Sequence, residues 1–103
     1  MTDHTQTLDS MCIPIVKIDE DDSAAIYEFT STIWIADPEH IGRTKAAGIA
    51  VGTLTIDKMT GVASLLEPMS GDHGDKRYFR ACRVLSRHFA DGSLPDQTMF
   101  ACG

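Results

Sequence analysis

Residues 75–91 read DKRYFRACRVLSRHFAD, and the fold reading starts from how this stretch spreads its side chains around a helix. At about 100° per residue, Tyr78, Ala81, Cys82, Leu85 and Phe89 fall on one side, while Lys76, Arg80, Arg83 and Arg87 gather on the other. This is the pattern of an amphipathic surface helix, with one stripe buried against a core and one solvated. The ends are marked as well. Asp72 or Asp75 offers a carboxylate to the unpaired amides of the first turn. Gly92 suits a left-handed C-terminal residue, and Pro95 blocks continuation. Arg87 and His88 stand in the last turn, where the helix dipole favours cations.

Charge isolates the same element. Residues 75–90 carry five basic side chains against Asp75, a net of +4, in a chain of formal net charge −6. No glutamate stands one turn from any of the four stripe cations, so they repel unless something else compensates them. The acidic run Asp19, Glu20, Asp21 and Asp22 is the internal candidate. Lys76, Arg80, Arg83 and Arg87 therefore read either as a solvated face neutralised by that run or as a surface for an acidic partner.

Upstream of the helix the period changes from helical to two. Residues 24–35, AAIYEFTSTIWI, place Tyr27, Phe29, Ile33 and Ile35 on one face and Glu28, Thr30 and Thr32 on the other, as in a long half-buried antiparallel strand. Residues 12–18, CIPIVKI, form a short strand that Pro14 confines to an edge or a strand start. Residues 36–47 read as a polar connection, and 48–57, GIAVGTLTID, as the next strand, with Gly52 marking a bulge or a close backbone approach. Residues 62–66 pair back after a turn at Gly61, and 99–101 can dock as a last strand.

The order β-β-β-β-α, with a terminal β segment, predicts an α+β fold: an antiparallel four- or five-stranded sheet packed on one face by a single C-terminal helix. Residues 1–10 read as a flexible polar tail and 11–103 as one domain, consistent with 103 residues in all. The stripe of Tyr78, Cys82, Leu85 and Phe89 should meet the face of Tyr27, Phe29, Ile33 and Ile35.

Composition excludes several classes. Hydrophobic content of 43% and charged content of 23% are those of a globular chain. No apolar run approaches the roughly 18 residues of a membrane span, and the acidic N-terminus lacks the cationic start of a signal peptide. The odd, widely spaced Cys12, Cys82 and Cys102 suit free thiols in the cytoplasm better than a disulfide framework.

Three constellations remain. Asp72, His73 and Asp75 at the helix start could bind a small ligand or anion, or move a proton, yet Gly-Asp turns and helix caps use the same residue types. Trp34 lies on the strand face opposite Tyr27 and is a contact anchor if that face is open; Met99 and Phe100 are the segment that could cover it. The acidic run lacks the glycine and glutamate spacing of a calcium loop, and no cysteine–histidine pair has zinc spacing, so neither a metal nor a cofactor is expected. The leading expectation is a non-enzymatic protein-interaction module of the inhibitor or immunity type, with a protein partner or self-association and no membrane. A ligand-binding domain or modest enzyme near His73 is the alternative. Nucleic-acid binding through the basic helix is disfavoured by the net charge and by the lack of aromatic residues among the arginines.

Overall fold

The computed structural model describes residues 7–9 and 12–101. Strands β1 (Thr7–Leu8), β2 (Cys12–Glu20), β3 (Ala24–Ala36), β4 (Thr44–Asp57) and β5 (Ala63–Glu67) precede a 3-10 turn (His73–Asp75), helix α1 (Lys76–Ala90) and strand β6 (Gln97–Ala101). The class is α+β, with an antiparallel sheet and one C-terminal helix on one face. The sheet has six strands rather than four or five, in the order β5-β4-β3-β2-β6, with β1 on β3. The additional strand, β1, pairs Thr7 with Trp34 and Leu8 with Ile33, where β3 outruns β2. It falls within residues 1–10, where a tail is expected; residues 1–6 and 10 lie outside the described residues.

Alternation on β3 sets the layers. Ala25, Tyr27, Phe29 and Ser31 are buried, as are Ile13 and Ile15 on β2 and Ala50, Leu54 and Ile56 on β4. Ala81 and Leu85 of α1 close this face, and the rings of Tyr78 and Phe29 stand 6.1 Å apart. The expected helix-to-sheet contact is therefore present, except that Ile35 and Phe89 lie outside the core cluster, the Phe89 ring standing against Gly61 instead. Met69, from the loop before the helix, also enters the core. The close approach anticipated at Gly52 is to a side chain: Phe29 is its cross-strand partner, and a Cβ there would fall well inside contact with the Phe29 ring. Such glycine–aromatic pairing lets a large ring lie flat on the strand beside it.

The connection expected over residues 36–47 is shorter. Strand pairing resumes beyond a bulge opposite Ile33 and Trp34, so β4 starts at Thr44 and only residues 37–43 turn. The described residues span 50 × 26 × 20 Å with a radius of gyration of 15.4 Å, larger than the roughly 13 Å typical for this length.

Helix α1 ends in a Schellman arrangement. Ser93 N–H donates to His88 O (3.1 Å) and Gly92 N–H to Phe89 O (3.0 Å), with Gly92 left-handed at φ 97°. Its first turn is held by Asp72, four residues before the helix: the carboxylate accepts from Arg77 N (2.9 Å) and Tyr78 N (3.2 Å). Among the described residues no helix is long and apolar enough to cross a membrane.

Core burial makes a pH prediction. The chain has two tyrosines. Burial, with the charges of Glu20 and Asp96, pushes the Tyr27 phenol up to about 12. Burial, then a hydrogen bond with Cys82, does the same for Tyr78, also to about 12. Because both folded values lie above the ordinary 10.0, the neutral phenols stabilise the fold below pH 10, and that contribution is lost as pH rises from there towards 12. A titration of phenolate absorbance should show no step near pH 10 while the protein is folded; a step there would place a tyrosine outside the core.

Candidate functional site

The four stripe cations do not share one environment. Arg80 leans over the edge of the sheet, its guanidinium 5.6 Å from the centroid of Phe100, and is half-buried. The expectation of a common solvated face fails for it because Arg80 sits about 100° from Ala81, on the flank of α1 that overlooks β6. Lys76, Arg83 and Arg87 stay exposed, and their side chains make no hydrogen bond or ion pair among the described residues.

The acidic run does not reach them. Glu20 pairs with Lys58 (2.6 Å) and Lys17 (3.1 Å), and those lysines, Lys58 first, hold its carboxyl below the usual range. Asp21 accepts from the amides of Ser23 and Ala24 (both 2.8 Å), which lower its pKa and fix the β2–β3 turn. Asp19 accepts from Glu20 N (2.8 Å). Asp19 and Asp21 brace the turn, and Glu20 binds Lys17 of β2 and Lys58 of the β4–β5 turn, not helix arginines.

Arg77, which the stripe reading leaves aside, turns inward. Its guanidinium meets Asp72 Oδ1 at 3.4 Å and donates to Leu8 O at 2.9 Å, tying α1 to β1. The Asp72 side chain is 1% exposed and the Arg77 side chain 14%. Helical rotation places Arg77 about 40° from Ala81, between it and Arg80 on the flank of the apolar stripe, which was the available signal.

Asp72 is thus occupied by the helix start, and Asp75, at φ 55°, makes no side-chain cap bond. His73 is exposed, and its ring makes no hydrogen bond among the described residues. It borders a cleft of about 410 Å³ lined mainly by Leu8, Ile33, Ile49 and Val51, with Ser70 beside it. The three residues are adjacent in space, but their carboxylates do not orient the imidazole. Cys82 is half-buried, and burial raises its thiol pKa, which keeps it from the reactive thiolate form.

Trp34 lies on the other side of the sheet from α1 and is half-buried between Thr7 and Ala46. It cannot join the helix cations in one surface. Phe100 faces the helix and Met99 the opposite, open side, at the far edge of the sheet, so neither forms a second layer over it. The open side carries Val16, Ile18, Ile49, Val51 and Met99, each at least 43% exposed.

One cluster escaped sequence reasoning. On the β3–β4 turn, donor atoms of Asp37, Glu39 and His40 lie within 4.8 Å of one another. Asp37 is already engaged: it accepts from Glu39 N (2.9 Å) and meets His40 Nδ1 (2.9 Å). That geometry explains a self-contained turn. Comparison with known proteins returns no match to this chain from family models, curated proteins or solved structures.

Proposed function

We propose that this chain is a non-enzymatic interaction module that engages a protein partner through the basic side of α1, in the manner of inhibitor or immunity proteins. The observation that carries the reading is the lack of internal compensation: Lys76, Arg83 and Arg87 have no ion-pair partner among the described residues, while Glu20 of the acidic run pairs with Lys17 and Lys58 and Asp19 and Asp21 bind backbone amides. A positive patch on a chain of net charge −6 separates its fields, which favours steered, oriented association. The open sheet face, with its exposed aliphatic side chains, offers area for self-association as well. The free thiols Cys12 and Cys82 suit a cytoplasmic protein.

Cross-linking in a lysate of the native host, followed by mass spectrometry, tests the reading. Cross-links from the α1 side should appear with the native chain and vanish with the R83E/R87E double variant, whose melting temperature should be unchanged. A monomer that forms no cross-link to any protein would contradict it. The cleft beside His73 supports a second reading, a small-ligand site; there, His73→Ala would abolish ligand-induced stabilisation and leave the α1 cross-links intact.

A further inference from the structure

We infer that the groove between α1 and β6 receives an extended acidic segment of another polypeptide, added to the sheet as a strand beside β6. The inference rests on the interaction reading above and names the partner's chemistry.

Three observations converge on this groove. The first is an open edge. β6 ends the sheet, pairing only with β2 among the described residues. Lys17 N–H donates to Asp96 O at 2.8 Å, and the register continues without a shift. Hydrogen-bonded pairs alternate along an antiparallel ladder, so Thr98 and Phe100 turn their backbone groups to β2. Gln97, Met99 and Ala101 must then turn theirs outward, free to pair.

The second is the absence of any guard on that edge. Sheet edges are commonly protected by charge, proline or a bulge. β5, at the other edge, has a bulge at Leu66, the charge of Glu67, and Pro68 directly after it. β6, QTMFA, has no charge, proline or bulge within its length, Pro95 and Asp96 standing just before it.

The third is charge beside the edge. The groove, about 450 Å³, runs between β6 and the flank of α1, with Arg83 and Arg87 on its helix rim. Val84, Phe100 and the His88–Thr98 hydrogen bond (2.9 Å) form its floor. Arg83 and Arg87 are one helical turn apart, roughly 6 Å. Alternate side chains of a strand are roughly 7 Å apart. A strand added to β6 would thus present every second side chain to these arginines, and carboxylates are the groups they would bind. Asp91 supplies the one opposing charge, at the C-terminal end of the helix. It leaves the Arg83–Arg87 end as the acidic subsite.

The same charges decide against a second copy as occupant. Two β6 strands paired across a two-fold axis would bring Arg83 and Arg87 of both copies to one side of the joined sheet, where they repel.

The test is an NMR titration of the full-length, amide-labelled chain with a peptide of alternating valine and glutamate. Lysine-for-glutamate and backbone N-methylated versions serve as controls. The expected result is a set of shifts confined to Gln97, Met99, Ala101, Arg83 and Arg87, seen with the acidic peptide and with neither control. R83E/R87E should weaken binding by about tenfold while leaving the remaining spectrum in place. Equal binding of the lysine peptide, shifts on the open sheet face, or no binding at millimolar concentration would overturn the inference. So would a concentration-dependent dimer that protects the β6 amides. A native chain that cross-links a host partner from the α1 side but binds no acidic peptide would remove the groove and leave the interaction module; a native chain that does neither would remove the two together.

Discussion

Asp72→Ala should lower the unfolding free energy by about 3–5 kcal/mol, the range seen when one member of a buried charge pair is deleted. Two losses combine. The amides of Arg77 and Tyr78 lose their acceptor at the start of α1, a capping loss of about 1 kcal/mol by itself. The Arg77 guanidinium, 14% exposed, keeps Leu8 O as a partner but loses its counter-charge, and its Nε already has no hydrogen bond. Asp72→Asn should fall roughly halfway, since an amide oxygen still accepts from the backbone while the charge is gone. Urea melts of the three chains check the order. An Asp72→Ala protein as stable as the native one would mean that the helix start and β1 are not joined through this pair.

Leu85→Ala should cost about 2–5 kcal/mol, as for a fully buried leucine whose cavity does not collapse. Leu85 has no exposed surface and lies among Tyr27, Phe29 and Ala81 in the central cluster. For a domain of this length the total stability is on the order of 5–15 kcal/mol, so the variant should melt well below the native chain or populate unfolded forms. A loss near zero would show that the helix does not close the core, and the buried face of the sheet would then need another cover.

The parts of the fold that could be read in the sequence are those whose signals are local and repeated. The helix announced itself by periodicity over four turns and by Gly92, and β3 by the alternation of Tyr27, Phe29 and Ile33 with Glu28, Thr30 and Thr32. Other features depended on partners far away in the chain. β1 is two residues long and exists only because β3 outruns β2. The first residues of β4, TKAAG, are small or polar and do not alternate, so only the ladder opposite Trp34–Ala36 makes them a strand. Met69 entered the core from a loop that carries no period.

The candidate site divides in the same way. Charge concentration was visible, and Lys76, Arg83 and Arg87 are indeed exposed. The separation of Arg80 from them depends on where β6 lies, and the groove exists only because β6 joins β2 rather than β5. Arg77 could have been found: its rotation angle puts it beside Ala81, but its charge suggested the surface. Asp72 carried a cap signal and a chemical one, and its geometry is that of a cap.

The free edge beside the arginines is what joins this fold to its proposed role, and native-state hydrogen exchange on the isolated chain at low concentration tests it most directly. Amides of Thr98 and Phe100, bonded to β2, should be protected, and those of Gln97, Met99 and Ala101 should exchange rapidly. Protection of all five amides would contradict the free edge, because that side of β6 would already be covered.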